Sequence, residues 1–117
     1  MLNSDVFSLL GLAARARKIC SGDVLLKDIR SKSVSLVIIA ENASDNSKKK
    51  WSDKCTYYKI DYRIIGTSDE LSHAVGKDNR VAVGIKDKGF ADKIKSKLGG
   101  WYYGKKEYIN KEKGKPS

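Results

Sequence analysis

Val34-Ser35-Leu36-Val37-Ile38-Ile39-Ala40 runs directly into Glu41-Asn42-Ala43-Ser44. The first seven residues are nearly all apolar and rich in β-branched side chains. Such a run, stopped by a polar turn, predicts a central strand covered on both faces. A strand with two buried faces needs a helical layer on each side, so the flanking segments decide the fold.

Upstream, Ser21 is a good N-cap for a helix from Gly22 to Lys32, with Leu25, Leu26 and Ile29 on its buried side. Ile19-Cys20 before it reads as a brief strand. Asn3 or Ser4 caps a first helix in which Val6, Leu9, Leu10 and Ala13 share one apolar face. Downstream, Ser44 opens a helix to about Tyr58, with Trp51, Cys55 and Tyr58 toward the core. Tyr62 to Ile65 is the next strand. Thr67 or Ser68 caps a short helix that Gly76 ends. Arg80 to Ile85 is the last strand, and Asp87 to Leu98 the last helix. Helices and strands thus alternate, which predicts an α/β domain with a mostly parallel sheet between helical layers. Gly99-Gly100 breaks the pattern. The domain is therefore expected to span residues 1–98, with 99–117 a basic appended tail containing Trp101, Tyr102, Tyr103 and Tyr108.

The chain has 117 residues, with 24 Lys and Arg against 14 Asp and Glu, a net charge of +10. That surplus on a single-domain length points to a polyanionic partner. Hydrophobic residues make up 40% of the chain, enough for a core and against global disorder. Cys20 and Cys55 stand far apart and His73 is the one histidine, so Cys and His alone cannot supply four zinc ligands. The cysteines are expected to be buried free thiols. No apolar run approaches the ~20 residues of a membrane span, and no basic leader precedes an apolar stretch. A cytoplasmic protein without membrane contact is expected. Catalysis is not: His73 is alone and on an exposed helix face, and nucleophile elbows and phosphate loops are absent. No cofactor or metal is implied.

The positive charge clusters. Arg15, Arg17 and Lys18 precede the second helix, Lys27 and Arg30 lie on it, and Lys48-Lys49-Lys50 begin the third. In an alternating sheet the loops at one edge converge. The turn at Ser21-Gly22-Asp23, the loop Glu41-Asn42-Ala43-Ser44 and the loop Lys77-Asp78-Asn79-Arg80 are expected together. Helix N-termini there favour phosphate, and Gly22 lets a ligand approach the backbone. Lys27, Arg30, Lys48, Lys49 and Arg80 would engage phosphates. Asp23, Glu41, Asn42 and Asn79 would contact base edges. Polar readout flanked by cations suits RNA with exposed base edges.

Several segments resemble one family. They are Leu9-Leu10-Gly11-Leu12-Ala13, Arg15-Ala16-Arg17-Lys18, Ser21-Gly22, Leu36 to Ser44, Asp53-Lys54-Cys55, Tyr57-Tyr58, Gly76-Lys77, Arg80-Val81 and Gly89-Phe90-Ala91. Together they resemble the bacterial YlxQ-type proteins of the archaeal-type ribosomal protein superfamily that binds kink-turn RNA. The resemblance implies a three-layer α/β/α sandwich with a four-stranded mixed sheet. It also implies recognition of a kinked stem with tandem sheared G·A pairs. The superfamily motif Gly-x-Asn-Glu-x-x-Lys corresponds here to Gly22-Asp23-Val24-Leu25-Leu26-Lys27, one residue shorter and without the Asn-Glu pair. Gly22 and Lys27 match, and Glu41-Asn42-Ala43 matches the family's acidic loop. The loop before the last strand, usually small and apolar, is polar here. The expected function is non-catalytic binding of structured RNA, an rRNA or mRNA element, in association with the ribosome or translation. The free protein is expected to be a monomer. A protein-interaction adaptor on the same fold is the alternative.

Overall fold

A computed structural model describes residues 4–98. The expected cap at Asn3 and the tail at 99–117 lie outside the described residues. Nine elements follow in order: α1 (Ser4–Arg15), β1 (Ile19–Ser21), α2 (Gly22–Arg30), β2 (Leu36–Ile39), α3 (Asp45–Tyr58), β3 (Tyr62–Ile64), α4 (Ser68–Val75), β4 (Ala82–Ile85) and α5 (Lys88–Leu98). Each expected element is present, within a few residues of its expected bounds.

The four strands form one mixed sheet in the order β1-β4-β2-β3. All four residues of β2 are buried, as a two-faced strand requires. Leu36 and Ile38 point into a core shared with Val6 and Leu10 of α1, Leu71 and Val75 of α4 and Ile94 of α5. Val37 and Ile39 point the other way, into a second core with Leu25 and Ile29 of α2 and Trp51 and Cys55 of α3. The fold is therefore the three-layer α/β/α sandwich, with α1, α4 and α5 on one face and α2 and α3 on the other.

The parallel share of the sheet is smaller than alternation predicts. Only β2 and β3 pair parallel; β4 runs antiparallel to both β1 and β2. The reason lies in α4. It ends at Gly76, in the left-handed region at φ 70°. The chain then folds back over the helix's last turn, where the Arg80 N–H donates to Ser72 Oγ at 2.8 Å. β4 therefore starts at the edge where β3 ended and runs back between its neighbours.

Gly84 of β4 sets how closely α2 approaches. A Cβ there would lie 2.6 Å from Leu25 Cδ1 and 3.0 Å from Cys20 Sγ. Cys20 and Cys55 are both free and buried. Burial pushes both thiols up to about 12; at Cys20 the neighbouring Asp28 carboxylate adds to the effect. An unfolded thiol ionises near 8.5. The stability gained from keeping each thiol neutral is thus complete below that pH and is lost as pH rises toward the folded value. Urea unfolding is expected to show stability falling above about pH 8.5, by up to about 1.4 kcal/mol per pH unit per thiol. Cys55→Ala removes one thiol's share of the slope; an unchanged slope would refute the assignment.

Candidate nucleic-acid interface

Strand directions bring the carboxyl ends of β1, β2 and β3 and the start of β4 to one edge. The amino ends of α2, α3 and α4 gather there. Two of these are closed by their own side chains. Ser44 Oγ accepts from the Ser47 N–H at 3.1 Å. At α4, Thr67 and Glu70 form a reciprocal capping box, and Asn42 Oδ1 accepts from the Ser68 N–H at 2.8 Å.

The amino end of α2 differs. Ser21 occupies the N-cap position but makes no side-chain cap. Its hydroxyl instead accepts from Arg80 Nε at 2.8 Å. Gly22 follows at φ 65°, a left-handed conformation with open space where a Cβ would stand. Gly22, Asp23 and Val24 are exposed. The first N–H groups of α2 thus face solvent without a side-chain partner from Ser21, beside the guanidinium of Arg80. That is the physical arrangement for binding an anion.

Arg80 is the clamp of the edge. Besides Ser21 it holds its own loop, donating from Nη1 to the Asp78 carbonyl at 2.7 Å. Asn79 takes the left-handed conformation at φ 54°, which asparagine tolerates better than most residues. The Lys77–Arg80 loop and the β1–α2 turn are therefore joined, as the convergence argument expects. Lys27 and Arg30 are exposed on the outer side of α2 and have no acidic partner among the described residues. With Asp23, Leu26 and Ser31 they line a shallow depression of about 510 Å³.

Four expected contact residues are already engaged. Asn42 already commits one lone pair of Oδ1 to α4, and its amide nitrogen has no such commitment. Lys48 Nζ donates to the Glu41 carbonyl at 2.9 Å and braces that loop. Lys49 pairs with Asp53 at 2.8 Å. The hydrogen bond and charge of Asp53 raise its pKa, keeping an ammonium that is partly neutralised. Arg80 is half-buried and acts through what it positions. Glu41 keeps an exposed carboxylate. Arg15, Arg17 and Lys18 do not belong to this edge: β1 carries the chain away from them before Gly22 is reached. Sequence reasoning missed the Ser21–Arg80 contact, whose partners are 59 residues apart with no local signal. Among the described residues, no group of three His, Cys, Asp or Glu side chains is placed to hold a metal. No helix among them is long and apolar enough to cross a membrane.

Comparison with known proteins gives this edge a context. The chain is 46% identical over 99 residues to the RNA-binding protein YlxQ of Bacillus subtilis, covering 84% of this chain and 99% of that one. It is 39% identical over 94 residues to the RNA-binding protein YlxQ of Enterococcus faecium, covering 80% and 90%. A protein with unknown function from Bacillus halodurans has a solved structure that matches with TM-score 0.74 and 41% identity, over 79% of this chain and 94% of that one. The Giardia lamblia 15.5-kD RNA-binding protein shares the fold with TM-score 0.69 at 21% identity, over 84% and 85% of the two chains. Residues 4–95 match the family model itself, from the start of α1 into α5. All four strands, the first four helices and the α2 edge fall within that match, and the chain belongs to the ribosomal protein L7Ae/L30e/S12e/Gadd45 family.

Proposed function

We propose that this protein binds structured RNA at the α2 edge, without catalysing a reaction, as a cytoplasmic partner of the ribosome or of translation. The preferred ligand in this reading is a kink-turn-like stem. The carrying observation is the amino end of α2: its N-cap hydroxyl is drawn off by Arg80, leaving N–H groups open beside a guanidinium. Exposed Lys27 and Arg30 extend the positive surface along the same helix. The relatives named as RNA-binding proteins support the partner class.

The test is a salt titration with a labelled hairpin whose internal loop carries tandem G·A pairs. A control hairpin replaces those pairs with Watson–Crick pairs. Lys27→Ala with Arg30→Ala is expected to weaken binding and reduce the salt slope by roughly two, one unit per lost phosphate contact. Tighter binding of the first hairpin than the control supports kink-turn preference. A double variant that matches the parent across the titration refutes the proposed face.

A further inference from the structure

The opposite edge of the sheet carries charge that the α2 edge does not use. There β1, β2 and β3 begin and β4 ends. The Lys86 N–H donates to the Lys18 carbonyl at 2.7 Å, and the Ser35 N–H to the Ile85 carbonyl at 2.8 Å. The Val37 N–H donates to the Asp61 carbonyl at 3.0 Å. These bonds set the entering segments side by side. Three helices also end at this edge.

Each of the three closes with the same turn. The N–H groups of Arg17 and Lys18 donate to Ala14 and Ala13, those of Lys32 and Ser33 to Ile29 and Asp28, and those of Lys59 and Ile60 to Thr56 and Cys55. The residue that closes this turn is left-handed in every case, at φ 63° for Arg17 and 60° for Lys32 and Lys59. Glycine is the usual occupant of that position, because a Cβ is strained there. α4 ends with the same bonds at the α2 edge, and there the position is Gly76. One cation per helix end is favoured by the helix dipole. That does not account for Arg15 and Lys18, which join Arg17 at the end of α1.

Arg15, Arg17, Lys18, Lys32, Lys59 and Lys86 are all exposed. Lys86 lies 3.3 Å from Asp28, and Asp61 is taken by Lys95 at 2.7 Å. Among the described residues the other five have no acidic partner. Tyr57, 77% exposed in the last turn of α3, stands beside this rim. An exposed aromatic ring next to unpaired cations suits a nucleic acid, which offers phosphates to one and a base face to the other.

We infer that this rim is a second RNA site, which grips the phosphates of a segment separate from the one held at the α2 edge. The domain then joins two RNA segments across the ends of its sheet. This rests on the RNA reading proposed above. The cations set affinity, and Tyr57 stacks an unpaired base.

The test uses the full chain, the G·A hairpin immobilised on a support, and a labelled RNA duplex with a short single-stranded overhang as the second RNA. The parent is expected to bind the hairpin and then capture the duplex. Arg17→Gly with Lys32→Gly and Lys59→Gly is expected to keep hairpin affinity, lose capture at least tenfold and lower the duplex salt slope by roughly three. Glycine is at ease in all three conformations, so the Tm is expected to equal or exceed the parent's. Arg15→Gln with Lys18→Gln leaves the helix-ending turns untouched and is expected to lose capture in the same direction. Undiminished capture by both variants overturns the inference, as does a parent that binds the hairpin but captures phosphatidylglycerol vesicles instead of the duplex. A parent that binds neither RNA overturns the proposed function, and this inference with it.

Discussion

Leu25→Ala is expected to lower the free energy of unfolding by about 2–5 kcal/mol, and Gly84→Ala by about 1–3 kcal/mol, yet the two together by less than their sum. Leu25 is fully buried on α2. Its Cδ1 stands 2.6 Å from where a Gly84 Cβ would be, with Val34 Cγ1 at 3.1 Å on another side. The first substitution opens a cavity at the point where the second adds a methyl group, so each relieves part of the other's cost. A coupling of at least about 0.5 kcal/mol is expected for side chains in contact. Against a total stability of about 5–15 kcal/mol these are large effects, and urea unfolding of the four proteins measures them. Strict additivity would mean that the missing Cβ of Gly84 does not set the height of α2 above the sheet. That height matters beyond stability, because α2 carries Lys27 and Arg30 on its outer side.

The fold was legible where periodicity and burial coincide. Leu36 to Ala40 alternates between two cores, and a strand buried on both faces is written as a continuous apolar run. Ser44, Thr67 and Gly76 mark helix ends by chemistry local to each end. The direction of β4 was not legible, since it depends on a contact between Ser72 and Arg80 across a loop. The same division holds at the interface. Gly22, Lys27 and Arg30 are exposed on α2 as their spacing implies. Lys49 is paired with Asp53 at the four-residue spacing the sequence already shows, whereas Asn42 gives its oxygen to a residue 26 positions away, with no local signal. Arg15, Arg17 and Lys18 are near Gly22 in sequence but not in space. Three residues of β1 separate them from Gly22, and a strand's length is enough to move them to the other edge.

Arg80→Ala is expected to weaken binding of the G·A hairpin by about tenfold to a hundredfold, the worth of hydrogen bonds from a charged group at about 1.4–2.8 kcal/mol. Its effect differs in kind from losing a phosphate contact. Without the guanidinium, the loop at Lys77–Asn79 is no longer tied to the β1–α2 turn. Ser21 Oγ, released from Nε, is free to accept from the first N–H groups of α2, as an N-cap serine ordinarily does. The anion site then closes on itself. The salt slope is expected to change by no more than about one unit, while the affinity falls by more than one contact explains. Arg80→Lys is not expected to rescue it, because an ammonium cannot donate to Ser21 and to the Asp78 carbonyl through the fixed fork that Arg80 uses. Ser21→Ala separates the two causes. It removes the acceptor but leaves α2 uncapped, so its loss is expected to be smaller than that of Arg80→Ala. Full rescue by lysine would reduce Arg80 to one more surface cation.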